Sequence, residues 1–425
     1  AAGQKKFFKQ NPSHFAKGPL RNCNNGSLRQ GYLKMPVNPN LYFDWAATAI
    51  PDQDILEAAL KKSLDSWANP SSLHAGGKEA RAALEKAREK CGKLLGVQGK
   101  QIYFTSGGTE SDHIPLLAIL NRPEKGNVAI SAIEHPALRE MANELKKCGI
   151  EPRLIPPDKN GFVTAKGVLD SVDENTLFVS VMAVNNETGA IQPVKEIAAA
   201  LVQKYQKKRR PRFHVDCVQA LGKIPIDFLG EEGVDSAAFS AHKICGPRGI
   251  GILYLKNEEE IFLRGGGQEK GIRSGTENLF GALAFADCLE RHAFLPGKTS
   301  PRLEEQKKWT EDFIKGLLSI KGASIIPASR GLPESQSNFS PWVVQASFKN
   351  IPGQVTLRAL DAKGICVSTG SACSSKKASR PILEAMGVPA EERESSVRFS
   401  FGPKTTQAGM QALLDAVKEV CSAFN

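Results

Sequence analysis

The sequence predicts an α/β protein with a large, mainly parallel, doubly wound sheet domain and a smaller α/β domain. Three observations predict it. Beyond residue 40, short apolar runs alternate with helical stretches, the pattern of parallel strands joined by helices on both faces of a sheet. The chain has 425 residues, 41% of them hydrophobic, enough for a core split over two domains of roughly 100–200 residues each. After Pro296 and Gly297 the pattern changes to a charged helix (302–319), a loop rich in Pro, Ser and Gly (327–341), then strand and helix again.

The apolar runs 102–105, 127–131, 176–182, 212–215, 236–239 and 250–255 read as strands, and 76–95, 135–147 and 194–207 as helices. A boundary near residue 290 gives a basic N-terminal extension (1–40), a large domain (53–290) and a small domain built from 41–52 and 291–425. No apolar run approaches the roughly 20 residues that cross a bilayer, and none follows a charged start as in a secretory signal. The expected location is cytoplasmic, with organellar targeting by the extension left open. Residues 1–43 carry seven Lys and Arg and no Asp or Glu, which accounts for seven of the net +11 charges. A solvated extension is the preferred reading over a nucleic-acid or membrane-surface arm. Nine cysteines and seven histidines form no CxxC pair and no metal-ligand spacing, so neither a disulfide framework nor a metal site is expected.

Three stretches carry candidate chemistry. Thr105-Ser106-Gly107-Gly108-Thr109-Glu110-Ser111 follows a strand and opens a helix, where glycines and free N–H groups suit a phosphate; an ordinary capped connection reads the same way. Pro115 in that helix implies a kink or a late start. Asp216 ends an apolar strand, where open α/β sheets place ligands, and a carboxylate there could hold a pyridine nitrogen protonated or cap the next turn. Lys243 follows another strand end among small and turn residues; desolvated, it would be a nucleophile toward an aldehyde, and exposed, merely solvated. Phosphate loop, aspartate and lysine occur in the order that one doubly wound domain would space them.

With these stretches in place the sequence resembles the cysteine desulfurases of the aminotransferase class V group, within the fold type I enzymes that use pyridoxal 5′-phosphate (PLP). The likeness runs from about Leu41 to about Thr406 through YFDWAATA (42–49), ANPSSLHAGG (68–77), YFTSGGTESD (103–112), EHPA (134–137), VNNETGAIQPV (184–194), HVDCVQALGKIPID (214–227), FSAHKICGPRGIGILY (239–254), GGGQEKGIRSGTEN (265–278), STGSACSS (368–375) and SSVRFSFG (395–402). Selenocysteine lyases share most of these motifs and stand as the alternative; the STGSACSS loop favours the desulfurases.

The resemblance implies that Lys243 binds PLP covalently, that Asp216 meets the ring nitrogen and Gln219 the ring hydroxyl, and that His135 stacks on the ring and takes the substrate's thiol proton. Gly108, Thr109, Ser240 and His242 would hold the phosphate, joined by Thr276 of a second copy, which implies a homodimer. Asn186 and Arg398 would bind L-cysteine, with Asn69 and His74 in a nearby loop. Cys373, in a small-residue stretch followed by Lys376 and Lys377, would take the sulfur as a persulfide. It would then pass the sulfur to an acceptor such as an iron–sulfur scaffold or a tRNA-thiolation protein. The sequence departs from the family at Gly108 and Cys217, where alanine is usual. It also departs after Thr406, where one amphipathic helix (407–422) stands in place of the scaffold-docking tail of many members.

Overall fold

Four- and five-residue strands form the larger sheet: β1 (Ile102–Thr105), β2 (Asn127–Ser131), β3 (Glu151–Ile155), β4 (Thr176–Ser180), β5 (Arg212–Asp216), β6 (Ser236–Ser240) and β7 (Gly251–Leu255). The computed structural model describes residues 37–206, 208–294, 300–370 and 380–424. Most of the basic extension (residues 1–36) and Cys373 with its neighbours from 371 to 379 therefore lie outside the described residues. The order is β1-β7-β6-β5-β4-β2-β3. β2, β3, β4, β5 and β6 pair in parallel, and β7 runs antiparallel to both β1 and β6. Two antiparallel steps return β1 to the direction of β6, so the carboxyl ends of β1, β6, β5, β4 and β2 share one edge.

Strand β3 is absent from the sequence reading. Its Glu151-Pro152-Arg153 start is polar and only Ile155 is buried, as suits an edge strand, where proline and charge are tolerated because one side has no ladder to complete.

The helices around this sheet are α1 (Gln53–Asp65), α2 (Ala75–Leu95), α3 (Gly108–Leu117), α4 (Pro136–Glu144), α5 (Ala165–Ser171), α6 (Val194–Lys204) and α7 (Leu279–His292). On α2, Ala80, Leu84, Ala87, Cys91 and Leu95 recur at helical spacing and are buried in the same core as Leu283 and Ala286 of α7. Along β2, Ala129 faces that core, while Val128 and Ile130 face a second one with Leu138 and Ala142 of α4. The alternation is the two-residue period of a strand covered on both faces. Pro115 lies in the last turn of α3, which passes into a 3-10 turn at Ala118–Asn121.

The smaller layer comprises α8 (Pro301–Leu318), β8 (Ala323–Ile326), β9 (Val343–Phe348), α9 (Gly353–Asp361), α10 (Pro381–Ala385), α11 (Ala390–Glu394), β10 (Ser396–Ser400) and α12 (Gln407–Phe424). Its strands form an antiparallel sheet, β10-β9-β8. Val344, Ala346 and Phe348 of β9 pack with Phe313 and Leu317 of α8 and with Leu413 and Val417 of α12. No helix among the described residues is long and apolar enough to cross a membrane.

Residues 42–52 stitch the two sheets together. Phe43 N–H donates to Cys366 O (2.8 Å) and Ser400 N–H to Phe43 O (2.8 Å), while Ala49 N–H donates to His242 O (2.8 Å) and Asp52 N–H to Cys245 O (2.8 Å). Trp45 anchors the strap: its Nε1 donates to Tyr42 O at 2.8 Å and its ring lies flat against Gly402, where a Cβ would stand 2.1 Å from the indole. Gly402→Ala is accordingly expected to push the indole aside and to lower the unfolding free energy by about 1–3 kcal/mol, the cost of overpacking a filled core. A urea titration checks this; an unchanged midpoint would mean that Trp45 is not confined.

Candidate active site

The shared carboxyl edge gathers the site. β5 ends on Asp216 and its parallel neighbour β6 on Ser240, followed by the 3-10 turn Ala241–Lys243. β1 leads into α3, and its start can lie beside β7 because position 251 is glycine: a Cβ there would stand 2.6 Å from Gly107 Cα. β2 leads to His135, the N-cap of α4, and β4 to Asn186. Together with Arg398 from β10 these elements enclose a cavity of about 240 Å³.

Lys243, Gly108, Thr109, His135, Asp216, Gln219, Ser240, His242, Asn186 and Arg398 all line that cavity. Three residues singled out in the sequence do not. Asn69 and His74 are exposed and serve local turns: Asn69 Oδ1 accepts from Ser71 N–H and His74 Nδ1 caps α2 at Gly77 N–H. Thr276 is exposed on the loop before α7. That loop is pinned by a buried pair in which Glu269 accepts from Arg88 Nη1 and Nη2 (2.6 and 2.7 Å) and from Phe104 N–H, and again where Arg273 meets Glu110 (3.1 Å). The sequence reading missed Ala46, Ala47, Asp112, Met182 and Val218, which also line the cavity. Asp112 follows Thr109 by three residues on the same helix, a spacing that could have placed it there.

Lys243 Nζ donates to the carbonyls of Ala46 (2.7 Å) and Ala47 (2.8 Å), and Gln219 Nε2 donates to the same Ala46 oxygen (2.9 Å). Asp216 Oδ1 accepts from Val218 N–H at 2.9 Å. Burial, then the nearby Asp112, push its carboxyl up to about 7. Such a carboxylate gains most from a cation brought against it. Asp112 meets His214 Nε2 at 3.1 Å, and His214 Nδ1 meets Ser236 Oγ at 2.8 Å. Burial raises the carboxyl of Asp112 and lowers His214 to about 4, so burial disfavours charge on both partners.

His135 is lowered to about 4 by burial and then by Lys243 and Arg139. Its Nδ1 accepts from Ala137 N–H, leaving Nε2 for a ligand. His242 is lowered to about 3 by burial and then by Lys243, and its Nδ1 meets Thr48 Oγ1 at 3.1 Å. Two neutral imidazoles therefore flank the lysine without adding charge. Arg398 is buried: Nη1 donates to Asn186 O and Nη2 to Asp44 Oδ1, both at 2.9 Å. Its Nε and Asn186 Oδ1 are buried without a partner among the described residues, a cost that a bound polar ligand would relieve. Beside them, Ser368 pairs with Arg398 through the backbone and Arg380 Nη2 meets Glu187 Oε2 at 3.1 Å. Ser368 and Arg380 are thus both placed close to Asn186.

Cys91, Cys217, Cys245, Cys288 and Cys421 are buried, and burial raises every one of these thiols, Cys91 and Cys245 to about 12. They are small packing side chains rather than nucleophiles. Among the described residues no group of His, Cys, Asp and Glu is placed to hold a metal ion.

The aminotransferase class-V family profile matches residues 41–413. The cysteine desulfurase IscS of Clostridium botulinum is 34% identical over 90% of this chain and 95% of its own. The NifS/IcsS protein homolog of Lactobacillus delbrueckii is 36% identical over 91% of this chain and 98% of its own. The solved structure of a NifS-like protein superposes with a TM-score of 0.79 at 34% identity, over 90% of this chain and 100% of that one.

Asp216 gives a pH-dependent prediction. A carboxyl near 7 in the folded chain and near 3.8 when unfolded takes up a proton on folding between those values, so stability falls as pH rises from about 4 to about 7. Asp216→Asn is expected to raise the melting temperature of the cofactor-free protein at pH 8 and to raise it far less at pH 4.5. Scanning fluorimetry at both values checks this; an equal gain at both would show that the carboxyl is not held protonated by its surroundings.

Proposed function

This chain belongs to the aminotransferase class-V family and is a cysteine desulfurase, and we propose that it binds PLP at Lys243 and moves the sulfur of L-cysteine to Cys373. The observation that carries the reading is the convergence of Lys243, Asp216, Gln219 and Arg398 on one cavity, with Asn186 Oδ1 buried and without a partner among the described residues beside them. Those residues fit the cofactor. Asp216 offers a buried carboxylate for the ring nitrogen, Gln219 an amide for the ring oxygen, and His135 a neutral face for the ring. Gly108, Thr109, Ser240 and His242 offer donors for the phosphate at the start of α3. Bound there, PLP would supply an aldehyde carbon for the lysine and a ring that takes up electrons from the substrate.

Arg398 and Asn186 hold the α-carboxylate and orient L-cysteine. Lys243 Nζ, once released, takes the proton from the substrate Cα as a general base. His135, through Nε2, carries the thiol proton. The Cys373 thiolate attacks the substrate sulfur: an S–S bond forms, the Cβ–S bond breaks, and Cβ gains the proton that makes L-alanine. The sulfur is oxidised to the persulfide level as Cβ is reduced, with no outside oxidant. The persulfide then passes to an acceptor protein. Thr276, exposed at the end of its pinned loop, serves the phosphate of a second copy in a homodimer.

Two variants test the assignment. Cys373→Ala is expected to keep the absorbance of lysine-linked PLP while alanine release from L-cysteine stops; release at the parent rate would overturn the role of Cys373. Lys243→Ala is expected to lower turnover by at least about 10²–10⁴-fold, the worth of a positioned base, and to lose any borohydride-fixed bond to PLP. A fixed bond that persists would place the cofactor on another lysine.

A further inference from the structure

We propose that Lys223 is a positioning residue that holds the Gln219 amide from behind the pocket, so that its nitrogen faces the cofactor ring oxygen as a donor. The inference rests on the cofactor reading above. Lys223 is only 5% exposed, rare for a lysine, and the chemistry described so far makes no use of it. Residues 217–224 form a helical turn, with Leu221 N–H donating to Cys217 O and Ile224 N–H to Ala220 O, both at 3.0 Å. The turn puts Gln219 and Lys223, four apart, on one face. Lys223 Nζ donates to Gln219 Oε1, and the Lys223 carbonyl is itself held by Trp342 Nε1 at 2.7 Å.

A glutamine side chain has one acceptor oxygen and two N–H donors. With Oε1 taken by Lys223, Nε2 is turned to the other side. One N–H goes to Ala46 O, and the second is left for an acceptor in the cavity that Gln219 lines. Without Lys223 the buried oxygen would be unsatisfied, a state that costs enough to turn the side chain, and the donors it would meet belong to the site itself, Lys243 foremost. The amide would then present oxygen, not nitrogen, to the ring.

The charged and titratable groups facing Lys223 are Lys243, Arg398, Cys245 and His242, with His292 lining the small cavity beneath. Burial and then the two cations lower its pKa well below that of a free lysine. A neutral amine donates to Oε1 as an ammonium does, so the role requires the N–H and not the charge.

The test is a pH titration of the lysine-linked PLP absorbance in the holoenzyme. A donor to the ring oxygen stabilises its negative charge and lowers the pH at which the linkage loses its proton. Lys223→Met, which exchanges a buried amine for an apolar chain of similar length, is expected to raise the titration midpoint by about one pH unit, the worth of one hydrogen bond to a charged group. Gln219→Ala is expected to shift it the same way, and the double variant no further than Gln219→Ala alone. An unmoved midpoint in Lys223→Met, or shifts that add in the double variant, would overturn the inference by showing a role independent of Gln219. Should the methionine variant fail to fold, an unmoved midpoint in Gln219→Ala overturns it equally, and a raised one, with Lys223→Leu raising it alike, supports it. A parent protein without the lysine-linked band would overturn the cofactor reading itself, which keeps the two failures distinct.

Discussion

The carbonyl oxygen of Ala46 accepts from both Lys243 Nζ and Gln219 Nε2, and the geometry of the site depends on it. A backbone carbonyl can play this part only if its segment is immobilised, and residues 42–52 are. They bond to the small sheet on one side, to the turn after β6 on the other, and are wedged by Trp45 against Gly402. The strap sets the position of the lysine relative to Arg398, whose Nη2 reaches Asp44 on the same segment. Contributions from the two sheets thus meet across one short stretch of backbone, and a displacement of that stretch would move Lys243 and Arg398 together.

Around this anchor the protein buries groups that a stability-driven core would exclude. Asp216 and Asp112 both raise Glu134, and Asp112 raises Asp216, Lys223 sits close to Lys243, and Arg398 Nε has no partner among the described residues. Removing such groups from water is costly unless they are paired. Burial accordingly disfavours charge across much of the cavity: it lowers both imidazoles and His214, raises Asp112, and brings Asp216 to about 7. An acidic group near neutrality and buried donors and acceptors without a partner among the described residues are what the proposed cofactor and substrate would satisfy.

The architecture was legible in the sequence because the central strands are unbroken apolar runs and the glycine, aspartate and lysine follow strand ends. Once the sheet order is known, those ends fall on one edge. Strand β3 was not legible, since an edge strand need not be apolar and Glu151-Pro152-Arg153 carries no strand signal. The single reversed strand, β7, was equally hidden: an apolar run looks the same in either direction. Within the site, side chains with distinctive chemistry could be named in advance, whereas the Ala46 and Ala47 carbonyls could not, because what matters there is the backbone of two alanines. Lys223 was passed over because nothing in the residues GKIPID reveals that its lysine points inward. Asn69, His74 and Thr276 were named through resemblance alone; in the single chain they are exposed and two of them cap local turns.

In the proposed reaction the sulfur of L-cysteine passes to Cys373. The most direct test is mass spectrometry of the intact holoenzyme and its peptides after brief exposure to L-cysteine without reductant. One additional sulfur atom, removable by thiols, is expected on the peptide that contains Cys373, accompanied by free alanine. Alanine released with the Cys373 peptide unmodified, or sulfur carried on a different cysteine, would contradict the transfer to Cys373.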